Sequence, residues 1–137
     1  MRYLTATDLL LIHHALLREF GGMAGITEAG FGRLETVAGT PRQSMFGADL
    51  YPDLPSKAAA LVFSLIRNHP FSDGNKRTAV VALAVLLELN GATLTASNAE
   101  VYDLVLDVAA GMPRPTLTAW VADHSHPHPP CTGVTQL

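Results

Sequence analysis

The stretch N-H-P-F-S-D-G-N-K-R-T, residues 68–78, organises this sequence because it places four ionisable side chains in one short polar loop. Apolar sequence lies on both sides, with S-K-A-A-A-L-V-F-S-L-I-R-N at residues 56–68 and T-A-V-V-A-L-A-V-L-L-E-L-N-G at residues 78–91. The valines of the second segment suit a strand, but its length and its Asn90-Gly91 ending favour a helix. The pattern predicts two buried helices joined by this loop.

Further helices are predicted on both sides of this pair. Residues 8–20 form an amphipathic helix, with Thr7 as the expected N-cap and glycines at its end, and residues 26–38 form one weak helix or two short pieces. His13 and His14 lie inside the first helix, and adjacent helical residues point about 100° apart, so they are interpreted as surface or packed histidines rather than as one site.

The C-terminal half adds two more predicted helices. Ser97 and Glu100 have the spacing of a capping box, which predicts a helix that reaches about residue 111. A short helix over residues 116–123 follows. The expected architecture is all-α, a bundle of about six helices in one domain over residues 1–123.

Residues 40–55 are predicted to form an ordered loop or a short hairpin. They contain three prolines and one glycine, which disfavour a helix. Their apolar side chains are expected to anchor the segment to the domain: Met45, Phe46, Leu50 and Tyr51. Ordered loops of this length on a compact domain often bind a ligand or a partner.

Residues 124–137 are predicted to be a disordered tail rich in histidine and proline. His124, His126, His128 and Cys131 have side chains that bind metals, which leaves a metal site as the alternative. Prolines and a terminal position favour disorder.

Composition limits the classes of function. The net charge is −3, which disfavours a broad nucleic-acid surface, so no direct DNA binding is expected except through a partner. Hydrophobic residues make up 48% and charged residues 15%, below the roughly 25% charged share of ordinary domains, so a partner could cover an apolar face. The single cysteine, the lack of a signal peptide and the lack of a run of about 20 apolar residues predict a cytoplasmic protein without membrane segments.

The loop has the components of an anion site. The free N–H groups at the start of the following helix carry a positive partial charge and attract anions. Gly74 permits a tight turn, Lys76 adds a point charge, and Arg77 adds a planar fork that suits phosphate oxygens. The loop lacks the G-x-x-x-x-G-K-[ST] pattern, so it is not a P-loop.

Two other side chains of the loop suit group transfer. Asp73 can serve as a Mg²⁺ ligand beside a polyphosphate, and His69 can accept a proton from a hydroxyl at neutral pH. Phe71 is expected to point into the core and hold the loop. From the residues alone, a capped helix–loop–helix with a solvated charge cluster stays open as the alternative.

The segment H-P-F-S-D-G-N-K-R, residues 69–77, resembles the signature of the Fic/Doc superfamily in its death-on-curing form. The general Fic pattern is H-x-F-x-[D/E]-G-N-G-R, and the Doc-type pattern has lysine in place of the last glycine, as Lys76 does. Residues 47–61, G-A-D-L-Y-P-D-L-P-S-K-A-A-A-L, and the E-L-N-G of residues 88–91 are also similar to this family. The resemblance covers residues 5–120.

This resemblance implies the helical Fic fold and a protein-modifying enzyme. The death-on-curing branch acts as the toxin of a toxin–antitoxin pair and transfers the γ-phosphate of ATP, with Mg²⁺, to a hydroxyl of a translation protein of the elongation factor Tu type. The implied partners are this protein target and a cognate antitoxin.

The resemblance also implies a role for each site residue. His69 would be the general base and Asp73 the Mg²⁺ ligand. The nucleotide phosphates would be held by Gly74, Asn75, Lys76 and Arg77. Residues 40–51 would form the flap that lays the target segment over the site, with contacts from Arg42, Gln43, Ser44, Met45 and Phe46.

Lys76 bears on which group is transferred. A glycine there would let a phosphate approach the backbone, whereas a lysine side chain fills that space and adds a charge. The nucleotide is then expected to bind with its γ-phosphate, rather than its α-phosphate, facing the attacking hydroxyl.

The sequence lacks the self-inhibiting motif of many Fic proteins, [S/T]-x-x-x-E-[G/N], because no glutamate is followed by glycine or asparagine. Inhibition is therefore expected from a separate antitoxin segment that folds on binding into an apolar groove. Two alternatives stay open beside the kinase: a Fic-type nucleotidyltransferase that AMPylates a protein hydroxyl, and a non-catalytic binding module with the same fold.

Overall fold

The computed structural model describes residues 1–26 and 29–128, which fold around two central helices. Within these residues the six α-helices are α1 (Ala6–Phe20), α2 (Gly30–Gly39), α3 (Leu54–Asn68), α4 (Asn75–Leu89), α5 (Asn98–Ala109) and α6 (Arg114–Asp123). The two small antiparallel sheets pair β1 (Ser44–Met45) with β2 (Ala48–Asp49), and β3 (Ala92–Leu94) with β4 (Ser125–Pro127). The predicted all-α architecture with a short hairpin is confirmed.

Helices α3 and α4 form the centre of the molecule. α3 packs against α2, α4 and α6, and α4 also contacts α1 and α5. The side chains of Leu61, Leu65, Leu83 and Leu86 are all at most 1% exposed, so both helices bury their apolar residues as predicted. The loop between them, residues 69–74, is therefore held at both ends by the core.

Two helices begin slightly earlier than predicted because other residues cap them. The N-cap of α1 is Thr5 rather than Thr7, and its hydroxyl accepts from the Asp8 N–H while the Asp8 carboxylate accepts from the Thr5 N–H. The N-cap of α3 is Asp53, which forms the same reciprocal pair with Ser56. Each pair satisfies backbone N–H groups that the first helical turn leaves without partners.

The predicted capping box at the start of α5 is confirmed. The Ser97 hydroxyl accepts from the Glu100 N–H at 3.1 Å, and the Glu100 carboxylate accepts from the Ser97 N–H at 2.9 Å. The hydrogen bonds from the Ser97 backbone and side chain lower the pKa of the Glu100 carboxyl. This cap fixes the start of the helix that carries Tyr102 toward the site described below.

The predicted flap is a short hairpin that follows a 3₁₀ helix, Thr40–Arg42. Its turn consists of Phe46 and Gly47, with φ of 53° and 80°. The prediction that four apolar side chains anchor this segment is wrong for three of them, because Phe46 is 99%, Met45 55% and Leu50 43% exposed. Of the four only Tyr51 is buried. It lies between the hairpin and α3, whereas the other three lie in or next to a hairpin whose two strands are both exposed.

The first part of the predicted tail differs from the expected disorder. Ser125–Pro127 pairs with Ala92–Leu94, and the His128 N–H donates to the Gly91 carbonyl at 2.7 Å. Residues 129–137, with Cys131, lie outside the described residues. Residues 1–26 and 29–128 contain no cluster of three metal-binding side chains.

The weak segment after α1 resolves into one helix, Gly30–Gly39, and residues 27–28 are not described. None of the described helices is both long enough and apolar enough to cross a membrane.

Candidate active site

The candidate site begins where α3 ends. His69 is the C-cap of this helix, and its backbone adopts the left-handed conformation, with φ 51° and ψ 57°. The His69 N–H donates to the Leu65 carbonyl at 3.1 Å, which closes the last turn. A left-handed conformation outside glycine costs about 1–3 kcal/mol, and such residues cluster at functional sites. This geometry turns the chain sharply and places the exposed His69 at the loop entrance.

Phe71 and Asn75 hold the middle of the loop. Phe71 is fully buried, as predicted. The Asn75 side chain brackets the Phe71 backbone: its Oδ1 accepts from the Phe71 N–H at 3.1 Å, and its Nδ2 donates to the Phe71 carbonyl at 2.9 Å. Because this side chain is 4% exposed and occupied by the loop, a phosphate contact from Asn75 would come from its backbone N–H. The structure thus gives the side chain a bracing role that the sequence did not indicate.

The carboxylate of Asp73 lies between the loop and the chain that follows α1. Its Oδ1 accepts from the Gly74 N–H at 2.8 Å, and its Oδ2 accepts from the Met23 N–H at 3.2 Å. Beside it, the Ser72 N–H donates to the Gly25 carbonyl at 3.2 Å. These contacts tie residues 21–26 to the loop and fix the orientation of the carboxylate.

The start of α4 supplies the positive end of the site. Gly74 is its N-cap with φ 82°, a conformation that favours glycine, and the first turn contains no acidic residue. Lys76 and Arg77 are both exposed on this turn. The Arg77 guanidinium lies 4.9 Å from the centre of the Phe20 ring, which orients its fork at the end of α1. Helix dipole and side chains together favour a bound anion here.

One cavity of about 390 Å³ collects these groups. Six predicted site residues line it: His69, Asp73, Gly74, Asn75, Lys76 and Arg77. The remaining walls come from the end of α1 and the residues after it, from the loop, and from α5: Phe20, Gly21, Gly22, Ser72 and Tyr102. An apolar groove of about 270 Å³ adjoins it and shares Phe20, Lys76, Arg77 and Tyr102. The sequence prediction thus located one wall of the site and missed the opposite one.

The flap hairpin does not line this cavity among the described residues. It is attached at the other end of α3, where the buried Lys57 donates from Nζ to the Pro41 carbonyl at 3.2 Å and pairs with Asp49 at 3.4 Å. The expected contacts of Arg42, Gln43, Ser44, Met45 and Phe46 with a target segment stay a prediction. Arg42 lies over the Tyr3 ring at 5.0 Å, so its side chain packs on the domain.

His13, predicted to be a surface or packed histidine, is packed, and it contacts the loop that carries the site. It is 5% exposed, and its ring stacks on Phe71 with centroids 3.8 Å apart and an angle of 5°. Its Nε2 lies 2.8 Å from the Asp73 carbonyl oxygen. The only signal in the sequence was a polar residue on the apolar face of α1.

The Asp73 carboxylate and the positively charged groups at the start of α4 suit a magnesium ion and the phosphates of a nucleotide. Each Asp73 oxygen accepts one backbone N–H and keeps lone-pair capacity for a cation. Mg²⁺ commonly takes one or two carboxylates, and its other ligands are phosphate oxygens and water. Asp73 would thus hold the metal, while the α4 terminus, Lys76 and Arg77 would hold phosphate oxygens.

Comparison with known proteins identifies the family of this chain. The family model described as Fic/DOC family matches residues 3–87. The chain is 44% identical to "Toxin Doc" of Mycolicibacterium smegmatis over 77 residues, which are 56% of this chain and 58% of that protein. It is 31% identical to "Protein kinase doc" of Escherichia phage P1 over 111 residues, which are 81% of this chain and 85% of that protein. The chain belongs to the Fic/DOC family.

Proposed function

We propose that this protein is the toxin of a toxin–antitoxin pair, and that it transfers the γ-phosphate of ATP to a hydroxyl of a translation protein of the elongation factor Tu type. The names of two relatives, "Toxin Doc" and "Protein kinase doc", support the toxin and the transferase parts of this proposal. The presence of Lys76 supports the γ-phosphate as the group that is transferred.

The position of Lys76 carries the proposal. Lys76 lies in the first turn of α4, is exposed, and lines the cavity beside Gly74. The general Fic pattern has glycine at this position, where the backbone can meet a phosphate directly. A lysine side chain occupies that space, so the nucleotide is expected to bind in the reverse orientation, with its γ-phosphate toward His69.

The residues of the site divide the chemistry among them. The His69 imidazole accepts the proton of the target hydroxyl while the hydroxyl oxygen forms a bond to the γ-phosphorus. The bond between that phosphorus and the β–γ bridging oxygen breaks, and ADP leaves. Arg77, Lys76 and the N–H groups of α4 hold phosphate oxygens and offset their charge. Magnesium, held by Asp73, would supply further charge neutralisation.

Position-specific labelling of ATP tests the transferred group. The protein is incubated with Mg²⁺, purified elongation factor Tu, and ATP labelled in either the α- or the γ-phosphate. We expect label on the target from the γ position only. Label from the α position would overturn the kinase proposal in favour of nucleotidyl transfer, and Lys76→Gly is expected to shift transfer toward the α label if side-chain bulk alone sets the orientation.

His69→Ala and Asp73→Ala serve as the matched inactive variants of this experiment. Loss of a general base typically lowers the rate by about 10²–10⁴-fold, and we expect His69→Ala to fall in that range. A protein that transfers no label, yet stops growth unchanged in both variants, would instead be a binding module.

A further inference from the structure

His13 contacts the loop of the site but has no role in the proposed reaction. His13 lies on α1, sixty positions away from Asp73 in sequence, and it is one of the few polar side chains in the core. It does not line the cavity, so it is not placed to touch a nucleotide. Its contacts are instead with the residues that carry the site.

His13 contacts the loop in three ways. Its Nε2 lies 2.8 Å from the Asp73 carbonyl oxygen. Its ring lies flat on the ring of Phe71, with centroids 3.8 Å apart. A Cβ atom built on Gly74 would lie 3.6 Å from both Nε2 and Cδ2 of His13, so the imidazole occupies the space beside the glycine at the turn.

The hydrogen bond determines the tautomer of His13. A carbonyl oxygen only accepts, so Nε2 must carry the proton and donate it. The acceptor is the backbone carbonyl of Asp73, the residue whose side chain faces the cavity. The position of this carbonyl therefore affects where the Asp73 carboxylate lies. The neighbouring Gly74 N–H donates to that carboxylate at 2.8 Å, so a shift of the carbonyl would move both groups.

We propose that His13 is a positioning residue for the metal–phosphate end of this site: its Nε2–H holds the Asp73 carbonyl, and through it the Asp73 carboxylate and the start of α4. This inference rests on the proposed use of Asp73 as the Mg²⁺ ligand. It assigns His13 no contact with the reacting atoms.

The test compares His13→Gln with His13→Met. Both side chains are unbranched and of similar length, but only glutamine carries an N–H that can reach the Asp73 carbonyl. His14→Met is the matched control, because His14 is exposed on the same helix and lies outside the cavity lining. Thermal unfolding first identifies a temperature at which all variants are folded.

The first readout is hydrogen exchange of the Ser72 and Gly74 amides in the protein without nucleotide. We expect about tenfold faster amide exchange in His13→Met. A hydrogen bond at the upper end of the usual range of stabilisation corresponds to about this factor in an equilibrium constant. His13→Gln and His14→Met are expected to stay close to wild type. Equal exchange in the glutamine and methionine variants would overturn the proposal.

The second readout is calorimetric binding of ATP at increasing Mg²⁺ concentration. His13→Met is expected to need about tenfold more Mg²⁺ for half-maximal binding than wild type or His13→Gln, because a displaced carboxylate is a weaker ligand. An unchanged Mg²⁺ requirement in folded His13→Met would contradict the proposal. If the wild-type protein transfers no γ label, the proposed kinase function is wrong. The calorimetric and hydrogen-exchange measurements would still test the role of His13.

A measurement on the wild type keeps the proposal testable should His13→Met not fold. Nitrogen-15 NMR of the imidazole distinguishes the two tautomers. A protonated Nε2 with a slowly exchanging hydrogen is the expected result, and an Nδ1–H tautomer with a bare Nε2 would overturn the proposed hydrogen bond.

Discussion

Gly22 lies so close to the Asp73 carboxylate that a side chain at this position would collide with it. A Cβ atom built there would lie 2.9 Å from Asp73 Oδ2 and 3.3 Å from Leu17 Cδ2. The neighbouring Gly21 has a positive φ as well, but a Cβ atom there would meet no other atom within 4 Å. The two glycines that end α1 therefore differ in what they do, although in sequence they are an ordinary helix stop.

Gly22→Ala is expected to lower phosphate transfer by about ten- to a hundredfold, because a displacement of about 1 Å at a reacting site can cost up to about 10²-fold. Gly111→Ala strains a backbone of almost the same φ, 120° against 119° at Gly22, and it lies outside the cavity lining, so it should lose stability but keep most of the transfer rate. Initial rates with γ-labelled ATP, measured on folded protein, compare the two. Similar rates in both variants would contradict the proposed contact.

The flap hairpin depends on a lysine that the sequence does not mark as special. Lys57 in the first turn of α3 is 3% exposed, and its ammonium group contacts the Pro41 carbonyl, the Asp49 carboxylate and the face of the Tyr3 ring. It thereby connects both ends of the hairpin to α3. The hairpin's own pairing is short, so this attachment decides how firmly its exposed tip is held.

Lys57→Met is expected to loosen the hairpin, because a buried carbonyl loses its donor, a loss worth about 1–3 kcal/mol. Hydrogen exchange of the Leu50 amide, which donates to the Gln43 carbonyl at 2.9 Å, should accelerate by at least about tenfold. Asp49→Asn keeps a side-chain oxygen that can accept from Lys57 and leaves the Pro41 hydrogen bond in place, so its effect should be smaller. Equal acceleration of exchange in the two variants would mean that the ion pair with Asp49, and not the hydrogen bond to the Pro41 carbonyl, attaches the hairpin.

The molecule as a whole exposes several large apolar side chains on α1, on the residues that follow it and at the start of α2. Leu11 is 62%, Phe20 61%, Met23 67% and Phe31 53% exposed. Exposed apolar groups of this kind mark surfaces that a partner covers when they adjoin one another. This agrees with the proposal that a separate antitoxin segment, rather than part of this chain, controls the site.

Expression of the wild-type protein alone is expected to arrest bacterial growth, since modification of a translation protein stops protein synthesis. Co-expression of the product of the neighbouring gene should relieve the arrest, and His69→Ala should not cause it. Growth curves and incorporation of labelled amino acids measure the outcome. Unimpaired growth with soluble wild-type protein would contradict the proposed toxin function.

The local features of this protein were predictable from short stretches of its sequence. Helix positions follow from apolar periodicity and from the capping box of Ser97 and Glu100, and the loop at residues 68–78 contains the groups that define the family, because each is set by residues near one another in the chain. Helices α1 and α3 each begin two residues before the predicted start, at Ala6 and Leu54, since several polar residues near each start can act as the cap.

Which distant residues complete the site depends on how the helices pack. His13 and Gly22 contact the loop, and Tyr102 lines the cavity, because α1 and α5 pack beside α4, and no local pattern encodes that packing. The Asn75 side chain, expected at a phosphate, is instead hydrogen-bonded to the backbone of Phe71, only four residues earlier, in a local contact that the sequence did not indicate. Local chemistry selects the reacting groups, whereas the long-range burial of apolar faces decides what surrounds them.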